Sequence, residues 1–208
     1  MKKIPSLFIR DYEGYGTKVP TYGEIERVIK GYKGRFLATE QVTPGCEWVI
    51  NGEGIATRKW DGTAVLFMDG KWFKRYDAKH GKTPPDDFFE AQPEPDHITG
   101  HWPGWVPVAF NTSADMYITE AIEYFNSING ERIYPGTTFE AIGPKINGNK
   151  DGWKYHTLME HGKYTCSCQF RDFEGIKRTL DLPWEGIVFH HEDGRMCKVK
   201  RSDFGLPW

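Results

Sequence analysis

The chain has 208 residues, 38% hydrophobic, 27% charged and 15% aromatic, which excludes intrinsic disorder and collagen-like repeats. Lys plus Arg number 27 against 29 Asp plus Glu, a formal charge of −2, so coating of duplex nucleic acid by bulk charge is excluded and any such contact must come from a local patch. No apolar run reaches the roughly 18 residues of a membrane span. Met1-Lys2-Lys3-Ile4-Pro5 leads into a mixed segment without a signal-peptide core, and Cys46, Cys166, Cys168 and Cys197 are few enough to suit a reducing compartment, so a cytoplasmic protein is expected.

Along the chain, Thr21 and Glu24 form a T-x-x-E capping box that predicts a helix through Ile25, Val28 and Ile29, stopped at Gly31. Strand-like runs follow at Glu47 to Ile50, Ile55 to Trp60, Thr63 to Met68 and Lys71 to Tyr76, with Asp69-Gly70 as a hairpin turn. Gly81 to Pro107 carries six prolines with aromatics interleaved and reads as a packed irregular loop. A second helix is expected with Thr112 or Ser113 as its cap, Ile118, Ile122, Phe125 and Ile128 or Asn129 on one face, and Gly130 closing it. Thr137 to Ile142 reads as a strand, Phe173 to Leu180 as a short helix, and Gly186 to His190 and Met196 to Lys200 as strands about an Asp193-Gly194 turn. The class is therefore α+β, with mainly antiparallel sheets flanked by helices, in a single domain over 1–208.

The first chemical candidate is Lys59-Trp60-Asp61-Gly62, a K-x-D-G element between two strand-like runs. Alone it reads as a charged turn. Downstream, Glu140 stands in Thr138-Phe139-Glu140-Ala141-Ile142, Glu185 in Trp184-Glu185-Gly186-Ile187-Val188-Phe189, and Lys198-Val199-Lys200 follows. Side chains alternate across a strand, so Lys198 and Lys200 point the same way. Two lysines on one face mark either a solvated edge strand or the wall of an anion-binding cleft.

In that order the four elements resemble the covalent nucleotidyltransferases, the superfamily of ATP-dependent DNA and RNA ligases and mRNA capping enzymes. The segments Thr43-Pro44-Gly45-Cys46-Glu47-Trp48 through Thr63, Gly143-Pro144-Lys145-Ile146-Asn147-Gly148-Asn149, and Asp203-Phe204-Gly205-Leu206-Pro207-Trp208 are similar to the small stand-alone RNA ligases within it. The resemblance runs from about Thr43 to the end and implies a nucleotidyltransferase (ATP-grasp-like ligase) core over 42–208 with 1–41 as an N-terminal extension. It implies joining of 5′-phosphate and 3′-hydroxyl RNA ends through lysyl-AMP and RNA-adenylate. A capping-type guanylyltransferase and a catalytically silent nucleic-acid end-binding protein stand as alternatives.

The resemblance also implies roles. Lys59 is the expected nucleophile toward the α-phosphorus of ATP, and Lys198 and Lys200 would hold the α-phosphate, with Glu185 in the catalytic set. Lysine's ordinary pKa is about 10.4, so attack requires surroundings that remove its proton; neighbouring cations do this and also stabilise the transferring phosphate. Asp61, Glu140 and Glu185 are the expected ligands for Mg²⁺ or Mn²⁺, directly or through water. Arg75 is expected at the ribose or the RNA 5′-phosphate, Glu140 also at the nucleotide, Ile187 or Val188 under the adenine, and Glu47 and Trp48 beside it. The Gly-broken basic loops at Lys79 and Lys82, and at Lys145 and Asn147, suit RNA phosphates.

His156, His161, Cys166 and Cys168 have a spacing that matches no standard zinc motif, and His190-His191 reads as a strand end. The tryptophans at 102, 105, 153, 184 and 208 read as core aromatics. Capping and DNA-sealing members of the superfamily usually carry a further barrel domain after the last motif, so a monomeric core working alone, or a partner protein supplying a clamp, is expected.

Overall fold

A computed structural model describes residues 1–12, 36–96, 100–128 and 133–208; the helix expected at Thr21 to Gly31 and the closing Gly130 lie outside these. The strands are β1 (Phe8–Tyr12), β2 (Phe36–Val42), β3 (Ile55–Lys59), β4 (Thr63–Met68), β5 (Lys71–Ala78), β6 (Phe89–Glu90), β7 (Trp102–Pro107), β8 (Thr137–Ile142), β9 (Thr157–Glu160), β10 (Gly186–His190) and β11 (Met196–Lys200). The helices are α1 (Glu47–Ile50), α2 (Met116–Ile128) and α3 (Phe173–Thr179). Every pairing between these strands is antiparallel, so the α+β class with mainly antiparallel sheets and few helices holds. Among the described residues no helix is long and apolar enough to cross a membrane.

The chain divides into two compact units, one of Met1–Lys3 with Trp60–His161, the other of Ile4–Lys59 with Gly162–Trp208. The second unit holds β1 paired with β2 and a three-stranded sheet in the order β11-β10-β3. Alternation gives that sheet one apolar face: Ala56, Ile187, Phe189, Cys197 and Val199 are buried with Leu7, Phe8, Trp48, Val49, Ile176 and Leu180. Asp172 caps α3 by accepting from the Gly175 N–H at 2.6 Å, close to the helix expected at Phe173 to Leu180. A disulfide joins Cys46 to Cys197, with Cα atoms 6.3 Å apart, a pairing that four sparse cysteines did not announce.

The first unit holds a six-stranded sheet in the order β6-β7-β5-β4-β8-β9. Val65, Trp72, Phe139 and Ala141 line one face with Ala121 and Ile122 of α2. The turn at Asp69-Gly70 has φ of 50 and 74, the doubly left-handed geometry that fits a two-residue hairpin, and Met68 pairs Lys71 across it.

Four expectations are corrected. Glu47 to Ile50 is helical: Gly45 turns the chain at φ 87, its N–H donates to the Glu47 carboxylate at 2.8 Å, and consecutive Trp48 and Val49 are both buried, which strand alternation forbids on a one-sided sheet. Gly81 to Pro107 contains β6 and β7. Its prolines misled because Pro103 and Pro107 fall outside the two β7 positions, Gly104 and Trp105, that pair β6, so few ladder donors are lost. The α2 helix begins at Met116, later than a Thr112 or Ser113 cap allows, since the Thr112 hydroxyl donates instead to the Ala109 carbonyl at 2.7 Å in the preceding turn. The Asp193-Gly194 turn is longer than two residues, closed by the His191 N–H to the Arg195 carbonyl at 2.9 Å, with only Gly194 left-handed.

Candidate active site

The register of the three-stranded sheet assembles the charged face. Gly186 pairs with both Lys59 and Lys200, and Val188 pairs with both Thr57 and Lys198, so Lys59, Lys198 and Lys200 lie on the face opposite the core. Glu185 directly precedes β10 and its carboxylate is buried. Oε2 accepts from Lys59 Nζ and Oε1 from Lys200 Nζ, the latter at 2.6 Å. Burial alone would raise this carboxyl; the charges of Lys59 and Lys200 and the hydrogen bonds from both outweigh it and hold Glu185 below the ordinary glutamate range.

The end of β11 is fixed by the turn Arg201–Phe204. The Arg201 N–H donates to the Glu185 carbonyl at 2.9 Å, while its guanidinium donates to the carbonyls of Leu180, Leu182 and Pro207. Asp203 accepts the Lys200 N–H at 2.8 Å. Burial pushes the Asp203 carboxyl above its ordinary range despite that bond and the charges of Arg10, Lys200 and Lys198. A Cβ on Gly186 would lie 2.1 Å from the Val199 carbonyl oxygen, so only glycine lets the two strands approach here.

In the other unit, Trp60 packs with Ile142, Met159 and Trp153, which anchors the start of the Asp61-Gly62 turn. The Gly62 N–H donates to Glu140 Oε1 at 3.0 Å, and a Cβ on Gly62 would meet the Ala141 carbonyl at 2.1 Å. His161 Nε2 lies 2.9 Å from Glu140 Oε2 and its Nδ1 3.0 Å from the Thr138 hydroxyl. An ionised carboxylate only accepts, so the Nε2–H faces Glu140, and in the neutral imidazole Nδ1 then accepts from the Thr138 O–H. This His161–Thr138 pair escaped the sequence reading. Its one legible trace was the T-x-E alternation that puts Thr138 and Glu140 on one face.

No family model matches the sequence. It is similar to proteins named RNA ligase 1. Identity is 29% over 167 residues with that of Rattus norvegicus, covering 65% of this chain and 47% of the relative. Identity is 30% over 150 residues with that of Pongo abelii, covering 57% and 45%. With that of Danio rerio it is 27% over 226 aligned residues, covering 82% and 68%. The chain thus spans about half the length of the first relatives it matches. These similarities support a relationship to RNA ligases.

The other expected site residues separate by environment. Val188 is half-buried on the lysine face, whereas Ile187 is fully buried in the core. Glu47 holds the turn before α1, and Trp48 is buried against the Arg195 guanidinium, 5.6 Å from its ring centroid, and His191 at 5.2 Å. Arg75 donates to the Met1 carbonyl at 2.6 Å and to Asp77 at 2.8 Å. Asn147 donates to the Gly62 carbonyl, and lies 3.5 Å from Asp61, so it braces the K-x-D-G turn. Lys79, Lys82 and Lys145 are exposed. Among the described residues no cluster of three His, Cys, Asp or Glu stands ready for a metal ion.

Proposed function

We propose that the chain is an ATP-dependent RNA ligase that joins 5′-phosphate and 3′-hydroxyl RNA ends through an adenylate on Lys59. The observation that carries this reading is the Lys59–Glu185–Lys200 arrangement: a lysine at the end of a rigid strand, hydrogen-bonded to a buried carboxylate that also holds a second lysine. The similarity to RNA ligase 1 proteins supports the same reading.

In the resting state the shared carboxylate keeps the Lys59 ammonium in place. Attack requires its proton to leave; Glu185, held below the ordinary glutamate range, positions the ammonium but is too weak a base to keep that proton, which passes on to water. As the Nζ–phosphorus bond forms, the bond to the pyrophosphate oxygen breaks, and Lys198 and Lys200 offset the charge on the α-phosphate oxygens. The adenylate then passes to an RNA 5′-phosphate, and a 3′-hydroxyl displaces AMP to form the phosphodiester. Val188, half-buried on this face, is the candidate for adenine contact. A Mg²⁺ or Mn²⁺ ion keeps several waters and takes one or two carboxylates plus substrate phosphates, which fits single ligands such as Asp61, Glu140 or Glu185 better than a protein cage; when bound it neutralises phosphate charge.

The test is incubation with ATP labelled in the α-phosphate. One adenylate per chain is expected on the wild type and none on Lys59→Ala; equal labelling of the variant overturns the reading. Labelling with GTP in place of ATP would identify a capping-type enzyme instead, and a sealing assay with 5′-phosphate and 3′-hydroxyl RNA ends completes the comparison.

A further inference from the structure

Within the Trp60–His161 unit lies an open cavity of about 390 Å³ lined by Glu120, Tyr124, Pro144, Lys154, Tyr155 and His156. Three of its lining residues are aromatic, Tyr124, Tyr155 and His156. Tyr124 and Tyr155 stack with centroids 5.6 Å apart and planes 15° apart, and Tyr117 and His156 stack at 4.9 Å and 28°. The outer pair is not sealed by the protein: Tyr155 is 61% exposed and Tyr124 38%. His156 is fixed in plane by two bonds, Nδ1 to Glu120 Oε2 at 2.7 Å and Nε2 accepting the Lys145 N–H at 3.2 Å. Glu120, the only acid in the lining, is therefore engaged by His156.

Lys154 lines the cavity itself. Lys145, Lys150 and Lys154 are all exposed on the segment that lines it. Between the first two, Asn147, Gly148 and Asn149 have φ of 44, 73 and 50, and Asn149 ties the turn down through two hydrogen bonds of 2.9 Å with the Trp153 backbone. The loop is thus held in one shape, with Lys145 and Lys150 exposed on it.

We propose that this cavity is a stacking site for an unpaired base of a single-stranded RNA, with Lys145, Lys150 and Lys154 meeting the flanking phosphates. Flat exposed rings take any base by its face, and ammonium groups on the lining segment match a polyanion better than an apolar protein surface. The site deepens the RNA ligase reading and rests on it, because it supplies the strand-holding surface that the phosphate chemistry at Lys59 does not.

The experiment is fluorescence anisotropy with a labelled single-stranded RNA bearing a 5′-phosphate, on the full chain and its Tyr155→Ala, Tyr155→Phe and Lys154→Ala variants. Tyr155→Ala is expected to weaken binding about tenfold, and Tyr155→Phe to stay within about twofold of wild type. Against an abasic strand of equal length the wild type should bind more weakly and no better than Tyr155→Ala. Equal affinity of wild type and Tyr155→Ala for the normal strand overturns the proposal. So does an undiminished difference on the abasic strand, or no RNA binding by the wild type. Adenylate labelling run in parallel separates the two readings. A wild type that takes no label defeats the ligase reading, whereas a labelled Tyr155→Ala protein with unchanged RNA affinity defeats only the stacking site.

Discussion

Lys59 and Lys200 share one carboxylate, each donating to a different oxygen of the buried Glu185. Two cations on one acid make a face receptive to anions, because the single negative charge leaves one positive charge in excess. Removing the acid leaves the two ammonium groups facing one another.

Glu185→Gln is therefore expected to cost about 2 kcal/mol at neutral pH, the scale of hydrogen bonds to charged groups. The folded carboxyl lies below its ordinary value of 4.5, so its contribution is fully present above that value and is lost as pH falls through the lowered one. Urea melts of both proteins should differ at about pH 7 and converge in acid below the ordinary glutamate range. A difference that persists undiminished into acid contradicts the ion-pair account.

His161→Ala is expected to slow adenylate formation roughly tenfold and to cost about 1 to 2 kcal/mol of stability, since it takes a hydrogen bond from Glu140 Oε2 without opening the core. His161→Gln, which keeps a side-chain N–H donor, should recover part of the rate. Thr138→Val should mimic part of the loss by removing the hydroxyl that holds Nδ1 and orients the imidazole, and Thr138→Ser should not. Single-turnover kinetics with labelled ATP make the comparison; equal rates for Thr138→Val and Thr138→Ser would refute the orienting role.

The strands at Gly186 to His190 and Met196 to Lys200 were legible because they alternate over one buried face, which also set Lys198 and Lys200 on a common side; those at Thr63 to Met68 and Thr137 to Ile142, buried on both faces, were legible from β-branched and aromatic residues between turns. The α1 segment failed because four residues carry too little period to separate a helix from a strand. β7 failed because the tolerance of Pro103 and Pro107 depends on where a partner strand ends, which is a tertiary fact. The same holds at the site. The motif lysines and acids were readable by type, but the commitment of Arg75 to Met1 and Asp77, the bracing role of Asn147 and the buttress of His161 depend on residues far apart in sequence.

The thiols should divide two and two. Cys46 and Cys197 are bonded, while burial, with Cys168 nearby, pushes the Cys166 thiol up to about 11 and burial also raises Cys168. In native buffer at neutral pH, alkylation by iodoacetamide is expected to be slow at both. In denaturant without reductant, two thiols per chain should react, and four only after reduction. The bond closes a sequence separation of 151, and loop-closure entropy puts its contribution at up to about 5 kcal/mol, so Cys46→Ser should lower the melting temperature clearly. Four reactive thiols in unreduced denatured protein would rule out the bond.

The glycines after the two motif acids offer the sharpest structural test. Neither Gly62 nor Gly186 has a positive φ, so neither is retained for a left-handed turn. Each instead lets backbone approach backbone, where a Cβ would come 2.1 Å from the carbonyl of Ala141 or Val199. Backbone cannot swing aside as a flexible side chain can, and Gly186 pairs with both Lys59 and Lys200. Gly186→Ala is therefore expected to cost about 3 kcal/mol and to displace both lysines together, abolishing adenylate formation even in the fraction that folds. Gly194→Ala is the control, because a Cβ there meets nothing within 4 Å; its φ of 88 still strains an alanine, at a cost of about 1 kcal/mol, but leaves the lysine face intact. Thermal melts and adenylate labelling of the two variants, side by side, decide it: a Gly186→Ala protein as stable and as readily labelled as Gly194→Ala would show that close strand approach is not what these glycines provide.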